Sequence, residues 1–164
     1  DEVGLDVALH VAKTVSAAFP DRMRVPPILP RMVEAGLLGR KQGGGFYRYG
    51  GREPQPFDRA EALRGKAEEA PGTEAAGYRM VYRMLDEAVR CLTDGVVAAP
   101  EDVDFGMIMG TGFPPFRGGP LRYIDTLGAS RMVRGMEALK LKPCGRLFDM
   151  AANGERFYES KCAE

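Results

Sequence analysis

The 164-residue sequence predicts an all-α fold of two related helical modules, the first truncated and the second complete. Three observations predict it. Apolar residues recur at spacings of three and four along most of the chain, the strand and helix alternation of an α/β domain is absent, and the two ends of the chain echo each other.

The first helix opens after Asp6, read as its N-cap, and carries Val7, Val11, Val15 and Ala18 on one face before stopping near Pro20. Pro26-Pro27 opens a second, with Ile28, Met32 and Val33 inward and Gly36 suited to a left-handed terminus. The run Gly50-Gly-Arg-Glu-Pro-Gln-Pro56 resists helix and strand alike, and the charged residues 58–69 lack a strong apolar face. Residues 51–74 therefore read as a linker that holds at most a solvated helix.

The firmest helix spans 74–93, where Tyr78, Val81, Leu85, Ala88, Val89 and Leu92 share a side before Gly95 ends it. Pro100 starts another, with Val103, Met107 and Ile108 inward. The prolines and glycines of 111–119 make a loop, and short helices resume at Pro120 with Leu121, Ile124 and Leu127, then Met132, Val133 and Met136. The methionines at 80, 84, 107, 132, 136 and 150 lie largely on apolar stripes and read as core filler.

Asp1-Glu-Val-Gly4 matches Asp125-Thr-Leu-Gly128, each before an amphipathic helix, and Met32 to Phe46-Tyr47 is echoed by Met150 to Phe157-Tyr158. The chain thus divides into the tail of a first module (1–50), a linker (51–74) and a second module (75–160). Without an initiating Met, and starting directly on a capping-like turn, it reads as a fragment.

Charge excludes several functions. With 23 basic and 23 acidic residues, no global field draws the chain to nucleic acid or an anionic membrane. Three scattered cysteines without a C-x-x-C pair argue against a disulfide framework or a metal site, and point to a reducing, cytoplasmic setting. No apolar run is long enough to span a bilayer.

Two loops hold the candidate site residues. In Gly39-Arg-Lys-Gln-Gly-Gly-Gly-Phe-Tyr-Arg-Tyr-Gly50, Arg40 and Lys41 precede a glycine run that suits an anion such as a phosphate. The plainer reading is a closing turn: Gly43 and Gly45 free the backbone to reverse, so that Phe46 and Tyr47 fold back onto the helices. A phosphate loop would feed a helix, and here an aromatic tail follows. In the second loop, Phe113, Pro114, Phe116 and Arg117 are either a recognition segment or part of the structural pairing of helical modules. His10, the sole histidine, has no titratable partner obviously beside it in sequence and reads as surface packing.

The segments Asp1-Glu-Val-Gly-Leu-Asp6, Met32-Val-Glu-Ala-Gly-Leu-Leu-Gly-Arg-Lys-Gln-Gly-Gly-Gly-Phe-Tyr47, Glu87-Ala-Val-Arg-Cys-Leu92, Pro100-Glu-Asp-Val-Asp104 and Gly112-Phe-Pro-Pro-Phe-Arg-Gly-Gly-Pro-Leu-Arg-Tyr-Ile-Asp125 resemble the C-terminal domain of the 3-hydroxyacyl-CoA dehydrogenase family. The resemblance is to its multifunctional fatty-acid oxidation members, alpha-subunit type, where that domain occurs twice. It implies a helical domain like the C-terminal domain of 6-phosphogluconate dehydrogenase. It also implies an enzyme that oxidises 3-hydroxyacyl-CoA to 3-ketoacyl-CoA with NAD, often with an enoyl-CoA hydratase domain upstream.

In that family a His and Glu dyad in the dinucleotide domain does the proton chemistry. No G-x-G-x-x-G follows a strand here, so no catalytic residue and no bound NAD are expected of this chain alone. Its implied task is to shape the acyl-CoA cleft and supply a packing or dimerisation surface. The implied partners are the upstream dinucleotide-binding domain, the acyl-CoA substrate, and a second copy or a thiolase subunit. The competing class is a non-enzymatic helical dimerisation or CoA-ester-binding module.

Overall fold

The computed structural model describes residues 1–65 and 72–158. They fall into two compact units, Asp1–Ala70 and Pro71–Glu164. Both are helical, and the fold is all-α apart from one pair of two-residue strands. Cys162 and residues 66–69 of the charged run lie outside the described residues.

In the first unit, α1 (Leu5–Ala18) packs on α2 (Ile28–Glu34). The N-cap of α1 is Gly4 at φ 95, not Asp6, which sits in the first turn. The helix starts earlier because the Leu5 N–H bonds to the Leu38 carbonyl at 3.1 Å, tying the helix entry to the end of α2's loop. Leu5 and Leu9 consequently enter the core, while Val7 and Val11, expected inside, are 47% and 52% exposed. The apolar arc of α1 is wide, and only the half that meets α2 is covered.

Around Met32, which is fully buried, gather Leu5, Leu37 and Ala60, with Ile28, Leu29, Val33, Phe57 and Leu63 beside them. Gly36 ends α2's turn at φ 72, as its position suggests. The stretch read as linker contributes to this core. Tyr47–Arg48 (β1) pairs antiparallel with Gln55–Pro56 (β2), and Asp58–Ala62 (α3) follows at once. A single buried Ala60, among charged neighbours, was too little apolar signal to reveal that α3 docks.

In the second unit, α4 (Thr73–Thr93) is the long amphipathic helix, burying Leu85, Ala88 and Val89. Tyr78, expected inward, is half exposed and stacks on Tyr82 near the helix start, where fewer elements cover α4. Helix α4 packs with α5 (Pro100–Thr111), α6 (Pro120–Leu127), α7 (Ala129–Ala138) and α8 (Gly145–Asn153). The core joins Val103, Leu121, Ile124, Met132, Val133, Met136, Leu147 and Met150. Of the methionines read as filler, Met132, Met136 and Met150 are fully buried and Met84 and Met107 pack on the core, but Met80 is 74% exposed on the outer side of α4. Helix α8 was not singled out by periodicity; its two inner residues, Leu147 and Met150, are too few to stand out.

Candidate functional site

The first loop is built around Asp1. Its carboxylate accepts the backbone N–H groups of Phe46 and Tyr47, both at 2.9 Å, and the Tyr49 hydroxyl proton at 3.0 Å. The Asp1 carbonyl accepts the Arg40 N–H at 3.0 Å. Close approach explains the glycines: a Cβ on Gly39 would collide with the Asp1 backbone, and one on Gly45 with its carboxylate. Gly43, at φ 73, ends a single 3-10 turn, Arg40–Gln42.

The tail is therefore pinned, but by peptide N–H groups on a carboxylate. The Phe46 and Tyr47 rings expected to do this are 37% and 47% exposed. A concavity of about 460 Å³ lies beside Asp1, its lining including Ile28, Phe46, Tyr47, Tyr49, Ala60 and Arg64.

Arg40 and Lys41 point to carboxylates of the α1 entry. Arg40 Nη1 lies 3.2 Å from both Glu2 oxygens, and Lys41 Nζ lies 2.5 and 2.7 Å from those of Asp6. The Lys41 hydrogen bond holds the Asp6 carboxyl below its ordinary value. Any phosphate reaching these two cations competes with carboxylates already in place.

The second unit repeats the closure. Asp125 accepts the N–H groups of Phe157 and Tyr158, both at 3.0 Å. Asp1 and Asp125 are the two aspartates that the repeat aligns, and Phe46-Tyr47 and Phe157-Tyr158 are its aromatic pairs.

Two buried carboxylates were missed. Asp104 on α5 accepts the N–H of Leu121 at 2.7 Å, that of Arg122 at 3.2 Å, and the Tyr158 hydroxyl proton at 2.6 Å. It thereby caps α6, whose own N-cap residue, Gly119, has no side chain to offer. Burial, and then the hydrogen bond to Asp104, push the Tyr158 phenol well up. Asp86 on α4 likewise accepts the Cys144 N–H at 2.7 Å at the head of α8, and the Arg90 Nε–H at 3.1 Å. Burial pushes the Cys144 thiol up to about 11. The available signal was an acidic residue falling on the inner arc of a helix, next to Val103 in one case and Leu85 in the other.

In the proline-rich loop, Phe113 is buried with its ring 6.5 Å from that of Tyr123. Pro114 leads into a single 3-10 turn, Pro115–Arg117, which puts Phe116 at the surface, 83% exposed. The Arg117 guanidinium lies over both the Phe116 ring (5.3 Å) and the Tyr123 ring (4.7 Å). His10 is exposed on α1. Among the described residues no group of three or more metal-ligating side chains forms, and no helix is long and apolar enough to cross a membrane.

The family model for the 3-hydroxyacyl-CoA dehydrogenase C-terminal domain matches residues 1–49 and 76–163. The chain belongs to this family. Among curated proteins it is similar to the fatty acid oxidation complex subunit alpha of Shewanella loihica, 38% identical over 169 residues that cover 97% of this chain and 24% of that protein. The protein of the same description from Shewanella baltica (strain OS185) is 39% identical over 168 residues, covering 96% of the chain and again 24% of the relative. The chain thus spans about a quarter of the length of these relatives. In this 3-hydroxyacyl-CoA dehydrogenase C-terminal chain, the residues 50–75 between the matched stretches are those that carry β2 and α3.

Proposed function

We propose that the chain is the helical C-terminal portion of an NAD-dependent 3-hydroxyacyl-CoA dehydrogenase of fatty-acid oxidation. Its role is to shape the acyl-CoA cleft and provide packing surface for the rest of the parent protein. The observation that carries this reading is family membership across both matched stretches, joined to relatives that are alpha subunits of a fatty acid oxidation complex.

The residues present do not fit NAD. A dinucleotide needs a strand, a glycine loop and a helix N-terminus in sequence, and the described strands are two residues long and antiparallel. We therefore assign no hydride or proton transfer to this chain. What its residues contribute is position. Asp1 and Asp125 close the two modules, Asp86 and Asp104 hold the heads of α8 and α6, and apolar side chains on α1 (Val7, Val11) and α5 (Phe105, Met109) are left exposed for other parts of the protein. Arg40 and Lys41 remain candidates for a coenzyme A phosphate only if the substrate displaces Glu2 and Asp6. A cytoplasmic setting and assembly with a thiolase subunit or a second copy belong to the same proposal.

The test is an NADH assay. A parent polypeptide containing these residues is expected to reduce NAD when given a 3-hydroxyacyl-CoA, and the 164-residue chain alone is expected to be inactive. A parent that binds NAD and acyl-CoA yet forms no NADH with short, medium or long 3-hydroxyacyl chains would overturn the assignment.

A further inference from the structure

Tyr47 and Tyr158 are the two tyrosines that the repeat aligns, and their backbones are held alike. The carboxylate of Asp1 accepts the Tyr47 N–H at 2.9 Å, and that of Asp125 accepts the Tyr158 N–H at 3.0 Å. Their side chains diverge. The Tyr158 hydroxyl donates to Asp104 at 2.6 Å, and the Arg122 guanidinium lies 3.9 Å from the centroid of its ring. Tyr47 is 47% exposed, and among the described residues its hydroxyl donates to no acceptor. Its neighbour Tyr49 is already engaged, with its hydroxyl on Asp1 and Arg40 6.0 Å over its ring.

The groups that satisfy Tyr158 come from the residues just before Asp125. Asp125 and Arg122 lie on α6, one turn apart, and Asp104, 21 residues before Asp125, caps the head of that helix while it takes the phenol proton. The five-residue rise from Pro120 to Asp125 is roughly 7–8 Å, so a tyrosine tied to Asp125 runs back along α6 to its head. A capping carboxylate has room for the phenol, because its two oxygens offer about four lone-pair sites and the helix head uses two. Asp1 is the counterpart of Asp125, so the matching supports of Tyr47 fall among residues that precede Asp1 in the parent polypeptide. The relatives have room for them, since this chain covers 24% of their length. Space is open on that side as well: Tyr47 lines the concavity of about 460 Å³ beside Asp1, with Ile28, Phe46 and Ala60.

We propose that this concavity docks the head of a helix formed by the residues immediately preceding Asp1 in the parent polypeptide. Tyr47 donates its hydroxyl to the aspartate or glutamate that caps this helix, which stands before Asp1 at about the spacing that separates Asp104 from Asp125. The proposal rests on the parent polypeptide of the proposed function, not on the reaction that the parent performs.

The test uses the parent and needs no activity, so a parent without dehydrogenase activity leaves its outcome unaffected. With p-azidophenylalanine at position 47, irradiation followed by peptide mapping is expected to join residue 47 to the segment immediately before Asp1. Tyr47→Phe removes only the hydroxyl, and amide hydrogen exchange at the head of the upstream helix should then quicken about fivefold, the effect of one lost hydrogen bond. Tyr158→Phe should do the same to the amides of Leu121 and Arg122, and so calibrates the measurement. Adducts to the second unit, to a distant region of the parent or to a second molecule would overturn the proposal. So would exchange upstream of Asp1 that Tyr47→Phe leaves unchanged while Tyr158→Phe exposes Leu121 and Arg122.

Discussion

Asp125 receives the Tyr158 backbone N–H at 3.0 Å, and with the neighbouring Phe157 N–H this bond closes the end of the second unit. Asp1 makes the same pair of bonds to Phe46 and Tyr47. A carboxylate suits this place because both its oxygens accept, one per peptide, and charge-assisted bonds are shorter and stronger than neutral ones. Asp125→Ala is expected to lower the stability of the second unit by about 2 kcal/mol, measured by urea unfolding. A loss near zero would mean that the tail is held by its rings instead.

Asp104 is a more demanding site, since three donors converge on one buried carboxylate. Asp104→Ala should cost about 3 kcal/mol or more, because two peptide N–H groups and a phenol lose their acceptor together. Tyr158→Phe removes only one of the three bonds and should cost about 1 kcal/mol. Because the two residues share a bond, the double variant should lose less than the sum of the singles. Strict additivity in a double-mutant cycle would contradict the network.

Two positive-φ glycines a few residues apart should respond differently to alanine. At Gly112 (φ 71) a Cβ meets nothing within 4 Å, so Gly112→Ala bears only the left-handed backbone cost, about 1–2 kcal/mol. At Gly119 (φ 107) the Cβ would collide with Asp104, so Gly119→Ala should cost at least about 3 kcal/mol by prising the cap from α6. Comparable melting temperatures for the two variants would refute this distinction.

The raised Cys144 thiol gives a pH signature. Unfolded, the thiol loses its proton near 9.0; folded, burial holds the proton to about 11. The native state therefore binds more protons across that window, and stability present below about pH 9 is lost as the pH rises toward 11. Tyr158, shifted in the same direction, adds to the alkaline loss. Alkylation by iodoacetamide at pH 8 should label half-buried Cys91 well before Cys144. Equal labelling rates under native conditions would show that the head of α8 opens readily.

Lys41 is expected to matter electrostatically. Its hydrogen bond lowers the Asp6 carboxyl, so any stability from the pair is present above the unfolded value of 3.8 and lost as the pH falls through the folded one. In Lys41→Gln, carboxyl-carbon NMR should show Asp6 titrating at a higher pH than in the wild type. An unmoved titration would mean that another group sets it.

How much of this was legible beforehand depends on what each feature requires. The amphipathic period of α4, the left-handed glycine after α2, and the proline starts of α5 and α6 are local properties written in neighbouring residues. The repeat was legible too, and it aligned Asp1 with Asp125 and the two aromatic pairs, although not the bonds between them. The choice of the Leu5–Leu9 arc over Val7–Val11, the docking of Ala60, and the capping of α6 by Asp104 were not legible.

Sequence alone determined the helical class, the duplicated pattern and the glycines where the chain must turn, because period, propensity and positive φ act within a few residues. Tertiary structure alone decided which apolar arc is covered, which carboxylates hold distant helix heads, and which arginines are spent on carboxylates or held by rings. Each of these depends on groups as many as 58 residues apart, as Asp86 and Cys144 are, whose meeting no local spacing encodes.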